Sequence, residues 1–246
     1  MTKQLIILGG GSSVIEGINK GLFDILQNKF TIGLNYSYRY IKSTFQMFVD
    51  WNFYEKEKKL LNKLPLIIGQ KLKEIKNPLD NTFLLSSTCD YTRDLNSGVY
   101  KPTLCGLFSL SFAIWLLDIG EIFLLGFDNK AIKKNQSLTH WYQAREFKNI
   151  YTDRMEQINH RGINKVNWYN ATQIENGKRI SKVEHEYKVY KNESKVKIYN
   201  VSMESKIPTF EKIDYYEFFW KLDDQVYDQD ILRNQVKEKI KLLVKK

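Results

Sequence analysis

Three glycines followed by two serines, Gly9 to Ser13, are the residues of this chain whose types and spacing best suit chemistry. Glycines after an apolar strand let backbone N–H groups come close to a phosphate, and a serine behind them can cap a helix whose first amides face the same anion. The strand before them is Leu5 to Leu8, four apolar residues in a row, as expected where both faces of a sheet are buried. Neither common nucleotide fingerprint is complete. In a G-x-G-x-x-G register starting at Gly9 the last position is Val14, and no Gly-Lys-Ser/Thr follows. Taken alone, the loop fits phosphate binding and also fits a plain tight turn between strand and helix.

Such a loop needs a sheet to stand on. Apolar runs of strand length alternate with segments of helical period, the pattern of a parallel sheet with crossover helices. Strands are expected at 5–8, 30–34, 45–49, 66–68, 82–86, 121–126 and 197–201. Between the first two, Val14, Ile18, Leu22, Ile25 and Leu26 share one face of a helix, and residues 104–117 are apolar almost all round, as in a central buried helix. An exposed helix is expected over 142–162, stopping at Gly162. An aromatic-rich packing helix is expected after Pro208, at 215–220. The fold class is α/β: a Rossmann-like, mostly parallel sheet with helices on both faces, in one domain over 1–246. The polar stretch 168–194 suits a hairpin, a lid or an insertion, and 213–246 a C-terminal helical appendage.

At 246 residues with only 4 prolines the chain can bury one sizeable core. Nothing resembles a signal peptide, and the longest apolar stretch is interrupted by Ser109, Ser111 and Asp118, so a cytoplasmic protein is expected. Cys89 and Cys105 are too few for a disulfide framework or a zinc site. A net charge of +10 favours polyanions or the inner face of an anionic membrane, although the lysines are dispersed apart from Lys56–Lys59 and the terminal run 237–246. A homo-oligomer is also compatible with this composition.

Ligands of parallel sheets bind beyond the carboxyl ends of the strands. Those positions hold Gly9 to Ser13, Asn35, Asp50 to Asn52, Ser97 to Tyr100, and Asp128 followed by His140, one of only 3 histidines. Asn35 at a strand end suits both a turn and an amide that donates and accepts without adding charge. Ser97 and Gly98 suit a helix cap.

The order LIILGGGSS, FTIGLN, NSGVY with an apolar helix, EIFLLGFD, a downstream histidine and IYNVSMESKI resembles the bacterial sialyltransferases of the Campylobacter type and related pterin diphosphokinase-like domains. The resemblance runs from Leu5 to about Ile207, and NSGVY with EIFLLGFD is its most specific part. It implies the sialyltransferase variant of the glycosyltransferase-A-like fold and an inverting transfer from a nucleotide-activated sugar, a CMP-sugar, to a hydroxyl acceptor, with no obligatory cofactor. By the same resemblance Gly9, Gly11, Ser13, Asn35, Ser97, Gly98, Asp128 and Ser205 would line the nucleotide, and His140 would be the general base.

Two departures stand out. The family's phosphate-holding tyrosines are replaced by NKAIKKNQSL, where Lys130, Lys133 and Lys134 offer charge instead, and Arg93 stands one residue early with Asp94 in its place. Two alternatives remain open. Diphosphoryl transfer from ATP would need Mg²⁺, for which Asp50, Asp90 and Asp128 are candidates. A nucleic-acid-directed binding or base-modifying protein would use the charge together with 15 Tyr, 14 Phe and 5 Trp.

Overall fold

The computed structural model describes residues 3–88, 99–100, 104–128, 172–175 and 178–244. In chain order the elements are β1 (Lys3–Leu8), α1 (Val14–Ile18), α2 (Leu22–Leu26), β2 (Thr31–Leu34), a 3-10 helix (Asn35–Arg39), β3 (Phe45–Phe48), α3 (Trp51–Leu61), β4 (Ile67–Gln70), β5 (Thr82–Leu85), β6 (Ser87–Thr88) and β7 (Val99–Tyr100). Then come α4 (Cys105–Leu116), β8 (Ile119–Leu125), β9 (Thr172–Glu175), β10 (Lys178–Ser181), α5 (Lys182–Glu193), β11 (Lys197–Val201), β12 (Glu211–Lys212), α6 (Tyr215–Lys221) and α7 (Gln229–Val244).

Eight strands form one sheet in the order β12-β11-β8-β1-β2-β3-β4-β5, and every pairing in it is parallel. The α/β class expected from the sequence is thus present, with the sheet wholly parallel. All seven expected strands lie in it; the eighth, β12, is two residues long. The alternation of strand side chains divides the core in two. Leu5 and Ile7 join α4, α5 and α7 on one face, through residues such as Phe108, Phe112, Tyr190 and Val236. Ile6 and Leu8 join α1, α2, α3 and α6 on the other, through Val14, Leu22, Tyr54 and Phe218. Helices therefore cover both faces, as a sheet of near-continuous apolar strands requires.

Helix α4 is apolar all round because it is buried all round: it lies against the centre of the sheet with α5 also packed on it. Two expectations change. The single helix over 14–26 is two short ones, because Gly21 takes a left-handed φ of 83° and turns the chain between them. The expected C-terminal appendage belongs to the main core: Leu232, Val236 and Ile240 repeat every fourth residue on the buried side of α7, and Arg233 Nε donates to the Thr44 carbonyl at 2.8 Å. The stretch 168–194 contains an antiparallel hairpin, β9 with β10, followed by helix α5. The helix expected over 142–162 lies outside the described residues. Among the described residues no helix is long and apolar enough to cross a membrane.

Candidate functional site

Strand β1 has β2 on one side and β8 on the other. From β1 the chain builds outward through β2, β3, β4 and β5, then returns across the sheet by α4 to place β8 against the free side of β1. The order of strands reverses there, and in open α/β sheets that switch point is where the carboxyl ends part to form a crevice. Its two lips are Gly9 to Ser13 after β1 and Gly126 to Asp128 after β8.

The lips touch through backbone. Gly9 N–H donates to the Leu125 carbonyl at 2.8 Å and Gly11 N–H to the Gly126 carbonyl at 2.8 Å. A methyl group on Gly9 would stand 2.8 Å from the Gly126 oxygen, and one on Gly11 would stand 2.6 Å from Asp128 Cγ. Gly126 itself has a left-handed φ of 70°, and a Cβ there would meet the Gly11 nitrogen at 2.9 Å. Glycine is required at all three positions by space, and at Gly126 by conformation too.

Asp128 closes the arrangement. Its Oδ2 accepts from Ser13 N–H at 2.9 Å and from Ser12 Oγ at 3.3 Å, while its Oδ1 accepts a short hydrogen bond from Ser13 Oγ. Ser13 is the N-cap of α1 but does not cap it with its own side chain; the carboxylate that follows β8 supplies the acceptor instead. The backbone amides of Gly10 and Ser12 take part in none of these bonds, and both residues are half-buried.

Tyr215, at the start of α6, packs its ring against Gly17 of α1 and is 1 % exposed. Among the described residues its hydroxyl has no hydrogen-bond partner. Burial holds this phenol well above its ordinary pKa, with the charges of Asp128 and Glu16 adding to the effect, so it remains a proton donor throughout the neutral range.

Ser205 is reached from the other side. Its buried Oγ donates to the Phe127 carbonyl at 2.8 Å and accepts from Ile207 N–H at 3.1 Å. Asn200 Nδ2 joins the same carbonyl at 3.1 Å, and Lys206 N–H donates to the Asp128 carbonyl at 2.8 Å. Ser205 thus fastens the loop after β11 to the loop after β8.

Asn35 lies at the end of the neighbouring strand β2. It begins the 3-10 helix with a left-handed φ of 51°, and its carbonyl accepts from Gln46 Nε2 at 2.7 Å. Beyond it Glu57, 3 % exposed, accepts from Tyr38 Oη at 2.6 Å and pairs with Arg39, holding the 3-10 segment on α3. Asp50 is the N-cap of α3, accepting from Asn52 N–H at 2.8 Å. Cys105 Sγ lies 3.5 Å from the Met47 carbonyl at the end of β3, and burial pushes this thiol up to about 12.

The structure therefore brings Gly9, Gly11, Ser13, Asp128 and Ser205 to one crevice, with Asn35 on the same edge of the sheet. Ser97, Gly98 and His140 lie outside the described residues, as do Asp90, Arg93 and the lysines 130, 133 and 134. Sequence reasoning overlooked Gly126 and Tyr215. A glycine ending an apolar strand opposite another glycine-rich turn was a usable signal for Gly126, whereas Tyr215 has the character of any aromatic on a packing helix. Among the described residues no three His, Cys, Asp or Glu side chains gather as metal ligands. Comparison with family models, with curated proteins and with solved structures finds no match to this chain.

Proposed function

We propose that the chain is a glycosyltransferase of the sialyltransferase-like kind, transferring a sugar from a nucleotide-activated donor, a CMP-sugar, to a hydroxyl acceptor. The observation that carries the reading is the switch point, where glycines bring two lips together and the amides of Gly10 and Ser12 take no part in the bonds between them. Asp128 then acts by shaping the loop. Its carboxylate is engaged by Ser12 and Ser13, so the donor phosphate belongs on the outer amides. Tyr215, packed on Gly17 of α1, keeps its hydroxyl neutral.

In this reading the acceptor hydroxyl attacks the anomeric carbon from the face opposite the nucleotide. The bond from that carbon to the donor phosphate breaks with inversion. His140 takes the acceptor's proton, and the phosphate leaves with the bonding electrons, met by the charge of Lys130, Lys133 and Lys134.

Binding and catalysis are tested separately. Addition of CMP should raise the unfolding midpoint and slow hydrogen exchange at the Gly10–Ser12 amides. His140→Ala should keep that protection while losing roughly 10²–10⁴-fold in transfer rate. Protection by ATP with Mg²⁺ but not by CMP would replace the donor. The absence of protection by any nucleotide would end the reading.

A further inference from the structure

Helix α6 buries Tyr215 and Phe218 but turns two large aromatics outward, one turn apart: Tyr216 is 71 % exposed and Trp220 82 %. Two adjacent exposed rings on seven residues are unusual for a solvated helix face, and Trp and Tyr are the side chains most enriched at the centres of protein interfaces. The surrounding charges are mixed. Lys20 Nζ lies 3.8 Å from the centre of the Tyr216 ring and 4.0 Å from Glu16, and Lys221 lies 3.3 Å from Glu217. Asp214 and Glu217 thus stand beside the lysines, which sets this patch apart from the surplus positive charge of the whole chain. A bilayer or a nucleic acid would meet as many carboxylates as ammonium groups.

The pattern is complementary to itself. If two copies of α6 cross antiparallel about a two-fold axis, Tyr216 of each faces Trp220 of the other. Glu217 and Lys221, also one turn apart on one flank, then face each other's opposite charge. The four rings bring on the order of 600 Å² of burial. The charged rim from α1 and β11, with Lys20, Glu16 and Lys197, supplies further area toward the roughly 1,200 Å² of a small specific interface. We propose that the exposed face of α6 is the contact of an isologous dimer, its occupant a second copy of this chain.

Sedimentation equilibrium on the full chain tests this between about 1 and 100 μM, a range that brackets moderate affinities. The expected mass is twice the 29.2 kDa of one chain. Trp220→Lys, at a position too exposed to disturb folding, should weaken association by roughly 30-fold or more while leaving the circular dichroism spectrum unchanged. Glu217→Lys and Lys221→Glu should each weaken it, and the double exchange should restore it, an outcome that a loss of folding would not produce. A single-chain mass across the range overturns the proposal, as does a dimer indifferent to Trp220→Lys. So does a monomer that binds anionic vesicles or single-stranded DNA through Trp220.

Discussion

The carboxyl edge of the sheet is closed in two different ways at neighbouring strands. Between β1 and β8 backbone meets backbone, with Gly9 and Gly11 donating to Leu125 and Gly126 and one carboxylate, Asp128, tying off the serines. Between β2 and β3 side chain meets side chain: Gln46 holds the turn at Asn35, Glu57 holds Tyr38 and Arg39, and the Cys105 thiol is sealed against β3. The first end depends on the absence of Cβ atoms, the second on buried groups in a fixed state of charge. A single methyl group should therefore damage the first much as loss of a charge damages the second.

The largest expected effect is at the side-chain end. Burial raises the Cys105 thiol from its usual value near 9 to about 12, so at pH 8 its thiolate should be scarcer in the native chain than in the unfolded one by about 1,000-fold. Mass-mapped alkylation should label Cys105 in denaturant and slower by that order without it. The sign follows from the raised value: below about pH 9 the thiol is protonated in both states and adds no pH dependence, and as pH climbs from 9 toward 12 the unfolded chain ionises first, so the native fold loses stability progressively. Rapid native labelling at pH 8 would show that this end opens to solvent.

Next is the buried ion pair. Glu57→Ala leaves Arg39 partly buried without its partner, and removing one member of such a pair costs about 3 kcal/mol. Urea unfolding should show it. Glu57→Ala together with Arg39→Met should recover part of the loss, because no charge is then stranded. Without that recovery, packing rather than charge pairing would govern this end.

At the backbone end the matching change is Gly11→Ala. Its Cβ would stand 2.6 Å from Asp128 Cγ and 2.7 Å from the Gly126 oxygen, and the second of these is backbone that cannot swing away. Overpacking of this kind costs about 2 kcal/mol in unfolding free energy. A change below about 0.5 kcal/mol, the size of an ordinary surface substitution, would show the two lips to be loosely joined.

The two ends were also unequally legible in the sequence. Apolar runs mark all seven longer strands of the sheet, and three glycines after the first mark the crevice, because backbone approach can be achieved by only one residue type. The side-chain end leaves no such trace. Glu57 meets Arg39 from 18 positions away, and at the backbone end the one side-chain tie is equally unmarked, since Asp128 reaches Ser13 from 115 away. Nothing in the types of those residues announces the pairing, which exists only once the sheet has set β2 beside β3 and β8 beside β1. Ser205 illustrates the same limit. A serine after a strand has the character of a ligand contact, whereas here its hydroxyl is spent on the Phe127 carbonyl. The break at Gly21 was hidden because the apolar period runs on through it.

That break provides the smallest and cleanest contrast. A Cβ on Gly21 would meet nothing within 4 Å, so only its φ of 83° opposes a side chain. Gly21→Ala should cost about 1 kcal/mol, the ordinary penalty for a left-handed L-residue, partly offset by the stiffer unfolded chain. Gly21→Asn should recover some of it, since asparagine tolerates that conformation. At Gly11 the same asparagine should be worse than alanine, because there the obstacle is volume. Opposite responses to one substitution would separate a glycine kept for its φ from a glycine kept for the space it leaves, and would assign the crevice between β1 and β8 to the second kind.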